Sequence, residues 1–349
     1  MSAASEIRDD LAKTIDRVLE AHCGKPVREK AEAGEWPAGL WCALEEVGLP
    51  LAALPEEAGG SGLAFDDAMF ALRRSAYHGT PVPLAETMLA GRLLVAAGLQ
   101  VPQGAMTVAP VHLGDKLTFD AGKISGEASR VPWALDCRHA VVVAQGKDQE
   151  VVALVATGGN AGAAESNLAG EPRVPMRFNA VVPLAWAPLE QASERLAAEG
   201  ALYRSVQMAG ALERTLEYAL LYANERVQFG RPIGKFQAIQ HLLAVLAGQA
   251  AASSAAADAA VEASRERPDA FMVAVAKARI GEAAGKGAEI AHQVHGAMGY
   301  TREHNLHYVT RRLWAWRDEF GNETHWQMRL GRMVAAKGAD ALWPMLTGG

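Results

Sequence analysis

Apolar residues recur at helical spacing over the first hundred residues. Leu11, Ile15 and Leu19 lie on one face of a predicted amphipathic helix. A glycine-rich loop at 54–63 interrupts the helical pattern, because its prolines and glycines disfavour regular structure. Helical spacing then resumes. The pattern predicts an N-terminal helical domain over residues 1–100.

The pattern changes near Val101 to short runs rich in β-branched residues. Two of these runs, 140–144 and 150–155, consist almost wholly of Val, Ala and Leu, and Gly, Pro and Asp punctuate the stretches between the runs. This spacing is typical of strands joined by turns. It predicts a small middle β domain, a sandwich or a barrel, over residues 101–190.

Helical spacing returns near Ala192 and persists through segments of more than 20 residues, at 195–226, 236–266 and 268–297. These segments are rich in alanine, and small side chains let helices approach closely. Residues 191–349 are therefore predicted to form a C-terminal helical bundle. The fold class is mainly α with a central β domain.

Charge and cysteine content narrow the function classes. The 349 residues carry a net charge of −6 without a long basic block, so a nucleic-acid partner is not expected. We find no run of 18 apolar residues and expect no membrane insertion. Three cysteines, an odd and sparse set, do not suggest a disulfide framework, which favours a reducing, cytoplasmic compartment.

The stretch from Asn224 to Gln237 carries the most specific chemistry. A long predicted helix ends near Arg226, where a guanidinium can grip a phosphate group, and Gln228 and Gln237 add neutral hydrogen-bonding groups. Phe229 could cover an aromatic ring. The residues alone equally allow a helix-ending turn in which Arg226 is a surface cation and Phe229 fills the core.

Three segments together resemble the acyl-CoA dehydrogenase family. Arg226, Gln228, Phe229 and Gln237 match, position by position, a family segment that contacts FAD, mostly the FAD of the neighbouring subunit. The run 293–300 is similar to a Gln-x-x-Gly-Gly-x-Gly-Tyr segment that meets the FAD diphosphate. The matching residues there are Gln293, Gly296 and Ala297, the last replacing a glycine. The loop at 55–62 resembles the family's N-terminal domain.

The resemblance implies FAD-dependent α,β-dehydrogenation of an acyl-CoA thioester, in fatty acid or steroid side-chain β-oxidation. It also implies a C-terminal four-helix bundle, an oligomer, and electron-transfer flavoprotein as the electron acceptor. In the family a glutamate removes the α-proton while the flavin takes the β-hydride.

The catalytic glutamate is not in register in this chain. Counting from the family motifs places Phe320 at one of the two base positions of the family and Gly200 at the other. Glu319 and Glu199 are the neighbouring carboxylates and are the candidate catalytic bases. One residue of slip turns a helical side chain by about 100°, so a neighbouring glutamate is not automatically a substitute. The alternative for each glutamate is a solvated surface carboxylate.

The resemblance is weaker around the chain's own flavin position. Trp133 matches a tryptophan that flanks the flavin in the family, but Leu135 stands where the family has a hydroxyl residue, and 104–116 keeps only fragments of the flavin-holding run. An alternative hypothesis follows. The chain resembles the shorter subunit of a heteromeric enzyme of the steroid side-chain type, which completes FAD sites on a catalytic partner.

A metal site is the main alternative interpretation to an FAD site. His292 and His295, then His304 and His307, repeat a His-x-x-His spacing that can bring two imidazoles near one helix face. The chain has neither a His-Glu-x-x-His motif nor a nearby cysteine pair. No metal site is predicted.

Overall fold

The computed structural model describes residues 3–347 and begins with five helices. They are α1 Ala3–His22, α2 Lys25–Glu32, α3 Ala38–Glu46, α4 Phe65–Tyr77 and α5 Leu84–Ala96. The glycine-rich loop between α3 and α4 folds back on itself. A β-carbon at Gly60 would overlap the backbone carbonyls of Leu51 and Leu54, so only glycine fits there.

Eight strands follow and form one sheet. They are β1 Met106–Ala109, β2 Leu117–Asp120, β3 Lys123–Pro132, β4 His139–Gln145, β5 Glu150–Ala156, β6 Glu165–Ser166, β7 Pro172–Val181 and β8 Ala185–Pro188. Hydrogen bonds join them in the order β6-β7-β3-β2-β4-β5-β8, and β1 pairs with β4. The interior residues of β4 and β5 are buried on both faces, which explains their unbroken apolar sequence.

The remaining described residues are mostly helical. The elements are α6 Ala192–Glu225, β9 Val227–Gln228, β10 Arg231–Pro232, α7 Gln237–Ala263, α8 Ala270–His295, α9 Leu306–Asp318, α10 Glu323–Lys337 and α11 Leu342–Thr347. Helix α6 is central, since it packs against α4, α7, α8 and α9. Its residues 198–212 are all buried, because helices and sheet surround it on every side.

Two hydrophobic cores hold the chain together. The larger core runs without a break from the N-terminal helices, past one face of the sheet, into the C-terminal helices. The smaller core lies within the sheet around Val142 and Val155. The predicted fold class, mainly α with a central β domain, is confirmed.

Helix α7 is unusually apolar for its exposure. By length and composition alone it could cross a membrane, yet only 22% of its most apolar stretch of 18 residues is buried in the chain. It packs along α6 and α8 as a bundle helix. Its outward positions carry small residues, namely Ala244, Gly248, Ala251 and Ala255. A face of this kind suits close packing against another helix.

Candidate functional site

A tight β-hairpin follows the end of α6. Strands β9 and β10 pair Val227 with Pro232 and Gln228 with Arg231, leaving Phe229 and Gly230 as a two-residue loop. Both loop residues have positive φ, 52° and 77°. Such loops match the twist of the two strands but favour Asn or Asp followed by Gly. Gly230 meets this requirement, whereas a phenylalanine with positive φ is strained.

Phe229 is held in this strained conformation at the surface. Its side chain is 92% exposed, and Val227 beside it is 53% exposed. The only ring it meets is the edge of Phe236, with centroids 6.1 Å apart, among the residues that the structure describes. The interpretation of Phe229 as a core residue is therefore wrong. Strain combined with an exposed aromatic ring is typical of a residue that contacts another molecule.

The two segments that resemble FAD-contacting stretches, 224–237 and 293–300, lie at the same end of the helical bundle. Tyr222, one turn before Arg226, stacks on His295 at the end of α8, with ring centroids 4.5 Å apart. Gly234, just before α7, lies against the backbone carbonyl of Ala223. The C-termini of α6 and α8 and the N-terminus of α7 therefore converge here.

We call this convergence the bundle-end face. It is formed by Arg226, Gln228, Phe229, Gln237, Gln293, Gly296 and Ala297, all of them exposed. The fold thus brings together the seven residues that the sequence predicted for FAD on these two segments. Their proximity is a property of the folded bundle, since they span more than 70 positions of the chain.

The chemistry of the bundle-end face fits an anionic, partly aromatic ligand such as FAD. Arg226 forms no ion pair within residues 3–347, so its guanidinium is available to a phosphate. The N-terminus of α7 lies at the same place, and helix N-termini favour anions. Gln228 donates only to the carbonyl of Val227 in its own backbone. Phe229 offers a ring face.

The two positions at which counting from the family motifs places the catalytic base, Gly200 and Phe320, are in contact with each other. Phe320 follows α9, is 3% exposed, and lays its ring over Gly200 in the first third of α6. A β-carbon at Gly200 would overlap that ring. Neither position carries a carboxylate, and the phenyl ring fills the space that a glutamate at Gly200 would need.

Glu319 is buried in ion pairs. Its carboxylate accepts hydrogen bonds from Arg173 Nε at 2.8 Å and from Arg204 Nε at 2.7 Å. Burial alone would raise the pKa of Glu319, but the two guanidinium groups outweigh burial and lower that pKa to about 2. A general base for a carbon acid works best with a pKa near the operating pH. The surroundings of Glu319 therefore favour a structural role.

Glu199 is also paired and is fully buried. Its Oε1 accepts from Arg92 Nε at 3.1 Å and from Arg195 Nε at 2.9 Å. Its Oε2 and the hydroxyl of Tyr203, one turn further along α6, have no hydrogen-bond partner among the described residues. Two arginines thus engage one oxygen of Glu199, and Phe320 covers the neighbouring Gly200 rather than Glu199.

The two ion pairs of Glu319 belong to a larger group of buried charged side chains that we call the central ionic cluster. Its six side chains are Arg173, Arg204, Arg312, Glu86, Glu171 and Glu319. Arg204 reaches Glu86 at 2.5 Å, and Arg312 reaches Glu171 at 3.2 Å. Three arginines balance three glutamates, so the cluster is neutral. It ties together α5, the start of β7, α6 and α9, and sequence reasoning missed it.

Trp133 lies apart from the bundle-end face, at the end of β3. It is 5% exposed and has a positive φ of 56°. It lines a cleft between the sheet and the end of α2, together with Leu135, Trp36 and Glu32. Its backbone amide donates to Pro172, which fixes the strained turn. The structure thus separates this predicted flavin-side residue from the other predicted FAD contacts.

The four histidines do not assemble a metal site. His292 bonds to Thr310 at 2.9 Å and stacks between Tyr300 and Trp314, while His295 bonds to the carbonyl of Ala291 at 2.7 Å. Burial lowers the pKa of His295 to about 4, so its ring is neutral. Within residues 3–347, no group of three metal-ligating side chains occurs. These rings act as packing elements.

Enlarging Gly200 is expected to destabilise the chain because Phe320 leaves no room. Gly200→Ala should lower the free energy of unfolding by about 1–3 kcal/mol, as overpacking does. Phe320→Leu in the same chain should recover part of that loss, because it removes the overlapping ring atoms. Urea titrations of both single variants and the double variant measure this coupling.

Gly248→Ala is the matched control, since Gly248 is also helical and nothing lies near its missing β-carbon. This change should raise stability by about 0.5–1 kcal/mol in the chain alone. Equal stability of the Gly200→Ala variant and the original chain would contradict the contact between α6 and Phe320.

Lys277 anchors the segment that carries Glu319 and Phe320. Its buried ammonium lies 2.6 Å from the carbonyl oxygen of Arg317 and 2.7 Å from that of Gly321. Burial lowers the pKa of Lys277 from 10.5 to about 7. The amine therefore holds the C-terminal end of α9 and the turn after it.

The stability of the chain is expected to rise above pH 7 through Lys277. Between pH 7 and 10.5 the unfolded chain binds the lysine proton and the folded chain does not, so unfolding takes up a proton. The free energy of unfolding should then gain up to ~1.4 kcal/mol per pH unit from this group. Urea midpoints at several pH values test it, and Lys277→Met should flatten the slope. An unchanged slope would contradict the assignment.

Comparison with known proteins gives two family matches. The acyl-CoA dehydrogenase N-terminal domain matches residues 5–100, and the acyl-CoA dehydrogenase C-terminal domain matches residues 189–322. The chain is similar to acyl-CoA dehydrogenase IpdE2 of Mycolicibacterium smegmatis, with 28% identity over 88% of this chain and 92% of that protein. IpdE2 of Mycobacterium tuberculosis is also 28% identical, over 88% and 91%.

Solved structures share the fold. A variant of the Tcur3481-Tcur3483 steroid ACAD superposes with a TM-score of 0.86 at 23% identity, covering 95% of this chain and 99% of that chain. The ChsE4-ChsE5 complex from Mycobacterium tuberculosis gives 0.84 at 24% identity, covering 97% and 99%. Butyryl-CoA dehydrogenase from Megasphaera elsdenii gives 0.84 at 20% identity, covering 95% and 98%.

Proposed function

Because the chain belongs to the acyl-CoA dehydrogenase family, we propose that it completes the FAD site of a catalytic partner chain and supplies no base of its own. The assembled enzyme removes two hydrogens from an acyl-CoA thioester. FAD supplies the hydride acceptor when bound. In this division of labour the partner brings the carboxylate and the flavin pocket, and this chain brings the bundle-end face.

The contact between Phe320 and Gly200 carries the proposal. α,β-Dehydrogenation needs a carboxylate that can take a weakly acidic proton at the moment the hydride leaves. Neither of the two expected base positions, Gly200 and Phe320, carries a carboxylate. The ring of Phe320 fills the space that a glutamate at position 200 would need. Glu319 and Glu199, the nearest alternatives, are engaged by four arginines in total.

The bundle-end face would hold the part of FAD that reaches across a subunit boundary. Arg226 would pair with the diphosphate, Gln228 and Gln237 would hydrogen-bond to polar atoms of the cofactor, and Phe229 would lie against a ring. Gln293 and the backbone at 296–297 would flank the same diphosphate. All of these groups face away from the chain's own cores.

Exposed apolar surface supports an obligate oligomer. Near the hairpin, Leu220, Leu221 and Tyr300 are 41%, 49% and 73% exposed, in addition to Phe229. The small-residue face of α7 adds a second uncovered strip. Uncovered apolar surface of this kind is typical of a subunit interface.

A partner with an intact flavin pocket fits this surface better than a second copy does. In a pair of identical chains, the bundle-end face of one chain would have to contact an FAD held in the cleft beside Trp133 of the other. That cleft is lined by carboxylates. Two similar structures are described as a steroid ACAD and as a complex of two named chains. A steroid or fatty acyl-CoA substrate and electron-transfer flavoprotein as acceptor belong to the proposal, as does a cytoplasmic location.

Flavin reduction by acyl-CoA tests the proposal. The chain alone, mixed with excess FAD, should leave the flavin absorbance unchanged when acyl-CoA thioesters are added anaerobically. The chain co-expressed with its catalytic partner should bleach that absorbance. Bleaching by the lone chain, abolished by Glu319→Gln or Glu199→Gln, would instead establish the rival function, a dehydrogenase with its own base.

A further inference from the structure

Three aromatic side chains meet where α6 and α8 end. Tyr222 stacks on His295, with ring centroids 4.5 Å apart and planes inclined at 23°. His304 lies edge-on to both rings, 4.5 Å from His295 and 6.1 Å from Tyr222 between centroids. Each ring thus contacts the other two, and we call Tyr222, His295 and His304 the ring cluster. The three residues come from α6, from the last position of α8, and from the loop before α9.

The ring cluster connects the two segments that form the bundle-end face. The backbone carbonyl of Tyr222 accepts a hydrogen bond from the amide of Arg226 at 2.9 Å. The carbonyl of Arg226 accepts in turn from the amide of Ile233 at 2.8 Å, which closes the base of the hairpin. His295 directly precedes 296–297. A displacement of Tyr222 from His295 would therefore change the spacing between the two segments.

The hairpin depends on its base for a fixed direction. Residues 227–231 are all exposed, and among the described rings Phe236 is the one that meets Phe229 and the guanidinium of Arg231. Phe236 itself belongs to the connection between α6 and α7. These contacts therefore do not tie the hairpin to α8. The ring of Tyr222, one turn before Arg226, makes that tie.

The hydrogen bonding of His295 fixes its ring in one orientation. Its Nδ1 lies 2.7 Å from the carbonyl oxygen of Ala291, which can only accept, so Nδ1 carries a proton. Burial lowers the pKa of His295 to about 4, so the ring is neutral and Nε2 is a bare acceptor. Nε2 is buried and has no hydrogen-bond partner among the described residues. Because such an atom is unfavourable for folding, the position of the ring against Tyr222 explains His295 better than stability does.

His304 closes the ring cluster from a third element. Its Nδ1 accepts a hydrogen bond from the amide of Leu306 at 3.1 Å, which fixes the ring at the start of α9. The same ring meets Tyr218 edge-on, with centroids 5.4 Å apart. Tyr218 and Tyr222 are four residues apart and so lie on one face of α6. The last turns of α6 are therefore held against both α8 and the loop before α9.

We propose that His295 is a positioning residue for FAD: by stacking on Tyr222 it holds Arg226 at the distance from 296–297 that a bound diphosphate requires. The inference rests on the proposed function, because it assigns what keeps the bundle-end face in shape for the cofactor. His295 does not touch the cofactor in this role and acts through Tyr222. Two of the four histidines in the His-x-x-His repeats thus serve cofactor binding without a metal.

Hydrogen exchange of the full-length chain alone tests the stack without FAD. His295→Leu removes the aromatic contact and keeps an apolar side chain. The amides of Arg226 and Ile233 should then exchange about three- to tenfold faster, as expected for the loss of one aromatic pair, while the amides of β4 should not change. His292→Leu is the matched control. His292 is also buried in α8 but stacks on other rings, so its loss should leave the hairpin amides unchanged. Unchanged hairpin exchange in His295→Leu, or equal acceleration at β4, would overturn the proposal.

The FAD content of the complex with the catalytic partner is the second measurement. His295→Leu should weaken FAD binding about three- to tenfold, and His295→Phe, which restores a ring, should recover most of that loss. The positioning role would be wrong if His295→Phe bound FAD as weakly as His295→Leu. It would also be wrong if His295→Leu kept FAD while Arg226→Ala lost it. Retention of FAD by Arg226→Ala would instead contradict the proposed function, and amide exchange would still decide whether the ring cluster fixes the hairpin.

Discussion

Arg226→Ala is expected to remove most of the FAD from the complex with the catalytic partner while leaving this chain folded. Arg226 is exposed and unpaired among the described residues, so its loss costs the lone chain little. Hydrogen bonds to a charged group contribute roughly 1.5–3 kcal/mol, which corresponds to about 10- to 100-fold weaker FAD binding. Flavin absorbance after dialysis of the complex measures the loss.

Arg267→Ala is the matched control for charge. Arg267 is an exposed arginine in the turn between α7 and α8, at the opposite end of those helices from the bundle-end face. Its removal should leave FAD content unchanged. If both variants retained FAD equally, the guanidinium of Arg226 would not be a phosphate contact.

Arg204→Met is expected to be among the most destabilising single changes in the chain. Arg204 is 2% exposed and pairs with Glu86 and Glu319 in the central ionic cluster. Removing it leaves Glu86 buried without its cation and leaves Glu319 with Arg173 alone. Breaking a buried pair in this way costs about 3–5 kcal/mol. A urea titration of the lone chain should show a correspondingly lower midpoint.

A surface ion pair provides the comparison. Arg177 and Glu127 lie 3.2 Å apart with side chains 74% and 50% exposed. Arg177→Met should shift the urea midpoint little, because exposed pairs contribute little to stability. Similar shifts for the Arg204 and Arg177 variants would show that the cluster is not a structural tie between the helices and the sheet.

The order of helices, strands and helices could be predicted because it depends on local patterns. Long helices show a helical period of apolar residues in the sequence, and buried strands show unbroken runs of valine. The turn at Gly230 was also visible, since glycine and proline break the helix. The conformation of Phe229 was not, because phenylalanine rarely takes positive φ and is usually buried.

The contacts that decide the function join residues far apart in the chain. Counting identified Gly200 and Phe320 separately as base positions, but a single sequence carries no sign that the two meet. Arg204 sits in a run of apolar residues on α6, and its partners come from α5 and from the segment after α9. Only packing reveals that Glu319 faces two arginines rather than solvent.

The ratio of FAD to polypeptide tests the central claim most directly. The purified chain alone should contain essentially no flavin, even after incubation with FAD and gel filtration. Its complex with the catalytic partner should contain one FAD for every two chains, and that FAD should be lost when this chain is removed. Stoichiometric flavin in the lone chain, retained through gel filtration, would contradict the account.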